Sequence, residues 1–304
     1  MDRFETLAQT LRTQVPGLEI REQEPMSRHT TFRIGGPARL MALPDDRKQA
    51  AAAVRAARTL GITPFFLGNG SDLLVADRGY EGFVLKCSGM DQVREVNRRL
   101  CAESGIPLAR LAMAALGRGL AGLEFAHGIP GTLGGAVLMN AGAYGGEMVQ
   151  VLTSVTYLDE EGQYRTLPAD QCGLSYRHSL FTEHPEWLIL SAEMALTPGD
   201  AEAIRARMED LAQRRRSKQP LEWPSAGSTF KRPAGHFAAA LIEQCGLKGV
   251  GIGGAQVSEK HAGFVINRGG ATAEDVRRLM DHIRETVLRQ TGVELEPEVK
   301  FLGF

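Results

Sequence analysis

The chain has 304 residues, 43% hydrophobic and 23% charged, with a formal net charge of −1. That length allows two domains, or three small ones, each with its own core. The near-neutral balance excludes the electrostatic footprint of a nucleic-acid binder and a polybasic membrane surface.

The elements read in chain order as follows. Residues 2–14 and 46–60 carry helical periodicity, with Ala50, Val54, Ala57 and Leu60 on one face of the second. Short apolar runs at Pro64–Leu67 and Gly82–Leu85 alternate with these helices and predict strands. An alanine-rich helix is expected over Leu108–Leu120, starting after Pro107, and a shorter one over Thr132–Asn140. Val151–Leu158 and Trp187–Leu196 read as strands. Composition changes near Pro198. Asp200 can cap a helix running from Ala201 to about Lys218, which Pro220 and Pro224 prevent from continuing. Beyond it come a helix over 236–245, a strand over Ala262–Ile266, an amphipathic helix over 274–291 and a last strand over 293–301. The strands and helices alternate in an α/β manner, with a boundary inside the Pro198–Pro224 segment.

No apolar run approaches the roughly 18 residues of a membrane span. The opening MDRFETLAQTLRTQVPGL has no apolar signal core, so a cytoplasmic location is expected. Cys87, Cys101, Cys172 and Cys245 form no CxxC pair, and no HxH or HExxH occurs. A disulfide framework and a metal site are therefore not expected.

The strongest chemical signal is glycine. His127–Gly146, HGIPGTLGGAVLMNAGAYGG, holds seven glycines in twenty residues, against 35 in the whole chain. Glycine in such density points to close backbone approach or positive φ. LGNGSDLLV at 67–75 has the same character: Gly68, Asn69, Gly70, Ser71 and Asp72 can present successive N–H groups to an anion. A tight turn between two strands explains the second cluster alone, and close packing of small residues explains the first. Together they favour a large phosphate-bearing cofactor. There is no GxxxxGK[ST], and the GxGxxG at Gly249–Gly254 follows a helix and precedes a strand, the wrong context for a dinucleotide fingerprint.

Three further residues stand out. Arg177 lies in GLSYRHSLF, Ser228 in PSAGSTFKRP, and Glu298 in LEPEVKFLG, where Val293, Leu295, Val299 and Phe301 would form the apolar face of an edge strand marked by Pro297. Their plain readings are a surface charge, a turn hydroxyl and a solvent-facing strand residue.

These stretches together resemble the UDP-N-acetylenolpyruvoylglucosamine reductases, flavoenzymes of peptidoglycan precursor synthesis. The resemblance is carried by TTFRIGGPA at 30–38, LGNGSDLLV at 67–75, GIPGTLGGAVLMNAGAYGG at 128–146, LSYRHSLF at 174–181, QPLEWPSAGSTFKRP at 219–233, VSEKHAGFVIN at 257–267 and LEPEVKFLG at 295–303. It runs from about residue 25 to the C-terminus and looks like the short, second structural type. It implies an α+β fold: a two-part FAD-binding module of the vanillyl-alcohol-oxidase (PCMH) type, residues 1–87 and 88–199, and an α/β substrate-binding domain, residues 200–304. FAD would be held non-covalently by Arg33, Ile34, Gly35, Gly68–Asp72, Gly128, Ile129, Pro130, Gly131, Gly134, Asn140, Ala141 and Gly142. NADPH would reduce it, and hydride would pass from flavin N5 to C3 of a UDP-linked enolpyruvyl sugar, with the enzyme acting as a monomer.

By the same resemblance Arg177 would stabilise negative charge developing on the substrate carboxylate, Ser228 would protonate C2, and Glu298 would assist. Glu298 could donate a proton only if burial raised its pKa; otherwise it would orient the Arg or a water. Lys231, Arg232 and Lys260 are expected to meet the substrate by charge, as the Arg214–Arg216 run would if it is not simply a solvated helix face. Asp72 stands where many relatives carry asparagine, and His127 is expected to serve packing. Two other readings remain open: a sugar or lactone oxidase of the same fold, which would need a flavin-attachment His or Cys near the glycines, and a non-catalytic nucleotide-binding module.

Overall fold

The computed structural model describes residues 2–97 and 99–304. The chain divides into two compact units: residues 1–22, 40–69 and 82–214, and residues 23–39, 70–81 and 215–304. Helices and mostly antiparallel sheets alternate irregularly, an α+β arrangement.

The first unit has two apolar cores. One lies under the helices Arg3–Gln14 and Arg47–Thr59, which bury Leu7, Leu11, Ala50 and Val54 against Phe83, Leu85 and Leu190. Both helices start where the sequence supplies a carboxylate: Asp2 accepts from the N–H of Phe4 and Glu5, and Asp46 from Lys48 and Gln49. Phe65–Leu67 pairs in parallel with Tyr80–Lys86 beside them. The other core packs the helices Leu108–Leu116 and Leu133–Leu138 on an antiparallel sheet in the order Tyr164–Pro168, Leu152–Leu158, Leu188–Met194, Arg99–Glu103, Val93–Val96.

The second unit is built on the helix Ala273–Thr291. Val276, Leu279, Met280, Ile283 and Val287 are buried along one side of it, each such side chain contributing about 1.5–3 kcal/mol. Thr272 and Asp275 form a capping box at its start, and Gly292 ends it at a φ of +71°. Against it lie the helix Ala238–Gln244 and the strands Gly251–Ile252, Ala255–Val257 and Val265–Asn267. A short parallel pair, Leu73–Val75 with Lys300–Leu302, completes the unit.

Several expectations need correction. The helix expected to Leu120 stops at Leu116, where Gly117 caps it, and the one expected over Thr132–Asn140 is only Leu133–Leu138. The strand expected over 293–301 is confined to Lys300–Leu302. Pro297 has no N–H to offer a ladder and makes only an isolated bridge with Phe230. Leu295 and Val299 are buried as expected, but Phe301 is exposed. The GxGxxG at Gly249–Gly254 is a hairpin, with Gly251 opposite Gln256 and Ile252 opposite Ala255.

Candidate active site

In the first unit Gly68, at the start of one glycine run, meets Thr132 of the other. A Cβ on Gly68 would lie 2.2 Å from Thr132 Oγ1, and one on Gly146 would lie 2.5 Å from the Phe125 ring. Thr132 and Pro107 form an isolated bridge, in which Leu108 N donates to Gly131 O and Leu133 N to Ile106 O, each at 3.0 Å. Ile129 N donates to Ala126 O at 3.0 Å, and Gly134 N to Ser104 O at 2.7 Å. The amides of Ile129 and Gly134 therefore serve the unit's own packing. The N–H groups of Gly68, Asn69, Gly128 and Gly131 in this unit, and those of Gly70 and Ser71 in the second, have no acceptor among the described residues. A run of such donors suits an anionic group like a pyrophosphate.

Arg177 sits in the same unit on a tight turn. Ser175 N donates to His178 O at 3.1 Å, and His178 N returns to Ser175 O at 3.2 Å. Arg177 takes the third position of this turn with a φ of +55°, where a type II turn asks for glycine. Its guanidinium carbon lies 5.1 Å from the Tyr176 ring centre. Asn140, 1% exposed, donates to Glu147 Oε2 at 3.1 Å and to Ser175 O at 3.2 Å, and accepts from Val149 N at 2.9 Å. Its amide is thus fully engaged within the unit.

The second unit gathers other candidates. Thr31 N donates to Gly70 O at 3.1 Å, and Thr31 Oγ1 donates to Ser225 O at 2.7 Å. Gly227 stands with its Cβ position 4.0 Å from Ser71 O, and Lys300 N donates to Asp72 O at 3.0 Å. Thr229, buried, donates its N–H to Gly263 O at 2.8 Å and accepts Val265 N at 3.0 Å on its hydroxyl. Glu298 N donates to Thr229 O at 2.9 Å. The unit therefore brings together the Gly70–Asp72 loop, the turn carrying exposed Ser228, and half-buried Glu298. Ile34 belongs to the core, and Gly35, at a φ of +131°, presses its Cβ position to 2.7 Å from Val75 Cβ.

The cations expected at the substrate have partners on the surface. Lys231 pairs with Glu296, Lys260 Nζ donates to Arg216 O at 2.8 Å, Arg232 stacks 4.5 Å over Phe237, and Arg214 pairs with Asp210 at 2.8 Å. His127 is half-buried, and its Nδ1 has no hydrogen-bond partner among the described residues.

Residues 219–302 match the C-terminal domain of UDP-N-acetylenolpyruvoylglucosamine reductase, and residues 38–168 match an FAD binding domain. The chain is 49% identical over 280 residues to UDP-N-acetylenolpyruvoylglucosamine reductase of Caldanaerobacter subterraneus, covering 92% of each, and 46% identical to that of Agathobacter rectalis, covering 98% of this chain and 99% of the relative. The chain belongs to the UDP-N-acetylenolpyruvoylglucosamine reductase family. The crystal structure of the family member from Thermus caldophilus superposes with a TM-score of 0.79 at 30% identity, covering 94% of this chain and 98% of that one. Across the length of the chain, the family fold is the fold described above.

Within that family frame, backbone strain is the feature that sequence reasoning missed. Among the described residues, positive φ at a non-glycine occurs at Arg33 (57°), Asn140 (42°), Tyr144 (54°) and Arg177 (55°), all inside the family motifs, besides Gln23 and Asn97. Such conformations cost of order 1–3 kcal/mol each and cluster at functional sites. Asparagine's tolerance of left-handed backbone was the one readable hint. All four thiols are free, and burial pushes Cys87 up to about 12 and Cys172 up to about 11. No group of acidic, His and Cys residues suited to a metal occurs among the described residues, nor does a helix long and apolar enough to cross a membrane.

Proposed function

We infer that the chain reduces the enolpyruvyl ether of UDP-N-acetylglucosamine to UDP-N-acetylmuramate, with FAD as cofactor and NADPH as reductant. The observation that carries this is family membership over nearly the whole length, joined to unpaired backbone donors at both glycine runs. FAD, when bound, supplies a carrier that takes hydride from NADPH and yields it to the substrate's C3. The N–H groups of Gly68–Ser71, and those of Gly128 and Gly131, would hold it. Arg33–Gly35, Gly134 and Ala141–Gly142 would close around it, and Asn140 would contribute backbone alone, its side chain being engaged elsewhere.

The chemistry then asks three things of the protein. Hydride added at C3 drives negative charge through C2 onto the carboxylate. Arg177 can meet that charge bidentately, a preorganised donor of this type being worth roughly 3 kcal/mol. Ser228 would give its hydroxyl proton to C2, and its exposure on a turn anchored by buried Thr229 supports that reach. Glu298, whose backbone is tied to the same Thr229, would orient Ser228 or a water that restores its proton. Lys231, Arg232 and Lys260 remain the candidates for the substrate's diphosphate, once released from their surface partners.

We also read 1–87, 88–199 and 200–304 as three working parts, an assignment supported by three separate apolar cores centred on them. The protein would work as a cytoplasmic monomer, which light scattering tests. The function itself is tested with purified holoenzyme: visible flavin bands bleached by NADPH and restored by the enolpyruvyl substrate, without oxygen. Bands restored only by oxygen would favour an oxidase, and a colourless protein that takes up no FAD would end both readings.

A further inference from the structure

Arg177 is held in an unfavourable backbone conformation, so something must over-determine it. The turn that carries it is fixed at its first residue and just beyond its last. At the first, Asn140 Nδ2 donates to Ser175 O at 3.2 Å. Beyond the last, Ser179, fully buried, donates its hydroxyl to Leu138 O at 2.7 Å. Both clamps reach back to the C-terminal end of the helix Leu133–Leu138, in the glycine-rich stretch. Asn140 is itself locked, at a φ of +42°, by Glu147 and Val149. A buried amide with every contact inside the protein has a geometric task, because removing it would leave buried groups unpaired.

We propose that Asn140 is a positioning residue for Arg177: it fixes the Ser175 carbonyl so that the turn presents the guanidinium in one orientation before substrate arrives. This rests on the reading of Arg177 as the group that meets the substrate carboxylate. It assigns the Asn140 side chain to the machinery that aims Arg177 and leaves only its backbone to the cofactor. Preorganisation of this kind governs rate, since a misplacement of about 1 Å costs on the order of 100-fold.

The test uses reduced holoenzyme in a stopped-flow instrument. Asn140→Gly keeps a residue at ease with positive φ while deleting the amide. Asn140→Asp keeps the acceptor for Val149 N and loses the donors, and carries the same test should the glycine variant fold poorly. The expected result is normal FAD content and normal flavin reduction by NADPH, with reoxidation by the enolpyruvyl substrate slowed about 10- to 100-fold. Ser179→Ala should give the same pattern more weakly. In an Arg177→Ala background, adding Asn140→Gly should change nothing further. If Arg177→Ala is slow but both Asn140 variants match the parent, or if the losses multiply in the double variant, the positioning role is overturned while the Arg177 reading stands. Loss of FAD from both Asn140 variants also overturns it. If Arg177→Ala itself reoxidises as fast as the parent, the Arg177 reading falls and takes this proposal with it.

Discussion

Gly68 and Thr132 touch so closely that no side chain fits at residue 68: an added Cβ would stand 2.2 Å from Thr132 Oγ1 and 3.3 Å from its Cβ and Cγ2. Thr132 cannot retreat, being buried and bridged to Pro107. Gly68→Ala should therefore destabilise the protein by about 1–3 kcal/mol, the usual cost of overpacking, and weaken its hold on FAD. Thermal unfolding and flavin retained after gel filtration measure the two effects. Thr132→Ala in the same chain removes Oγ1 and Cγ2 and should recover part of the loss. An alanine variant with unchanged stability and full flavin content would show that the contact yields easily.

Ser228→Ala separates the proposed proton donor from everything upstream. The side chain is exposed on its turn, and the fold there depends on Thr229, so stability should change by less than about 0.5 kcal/mol. Flavin reduction by NADPH should keep its rate. Reoxidation by the enolpyruvyl substrate should slow by about 10²–10⁴-fold, the range for loss of a positioned general acid. Equal rates in both half-reactions would remove Ser228 from the chemistry.

Acid stability of the second unit should depend on Asp275. Its carboxylate accepts the Thr272 N–H at 3.0 Å and the Gly254 N–H at 3.2 Å. The bond from Thr272, with the weaker one from Gly254, holds its pKa below the ordinary 3.8 against the opposing effect of burial. A carboxyl with a depressed folded pKa contributes stability above its unfolded pKa and loses that contribution as pH falls through the folded value. The loss belongs below about pH 4. Asp275→Asn should lower Tm near neutral pH and flatten the acid side of a Tm–pH profile. A profile that stays parallel to the parent's below pH 4 would assign the acid limb to other carboxylates.

What the sequence made legible follows the strength of each local signal. The helix Ala201–Lys218 is legible at its start and closely at its end, because Asp200 starts it and Pro220 prevents its extension. The helix Ala273–Thr291 was read from its apolar stripe. The outer strands Val93–Val96 and Tyr164–Pro168 were not found, because solvent-exposed edge positions carry no alternation to detect. At the site, glycine density announced a cradle, yet it could not say which amides are used internally. Ile129 and Gly134 have theirs bonded to Ala126 and Ser104, a fact set by tertiary packing. Nor could composition show that Arg177 bends through positive φ, since arginine has no preference for that region.

That strain makes a prediction in which stability and activity move in opposite directions. An arginine in left-handed backbone costs roughly 1–2 kcal/mol, whereas glycine there costs only the extra chain entropy, about 0.5–1 kcal/mol. Arg177→Gly should thus leave the turn intact, with Ser175 and His178 still paired, and stabilise the protein by about 0.5–1 kcal/mol. For a chain of this size that is a Tm rise of about 1–3 °C by calorimetry. The same substitution deletes the guanidinium, so reoxidation of the flavin by the enolpyruvyl substrate should collapse while reduction by NADPH proceeds. Arg177→Ala, which keeps the strain and loses the charge, should be equally slow but gain no Tm. If the glycine variant instead melts below the parent, the contacts of the Arg177 side chain outweigh the strain of its backbone. The turn would then be stabilised by the residue it presents, and not merely enduring it.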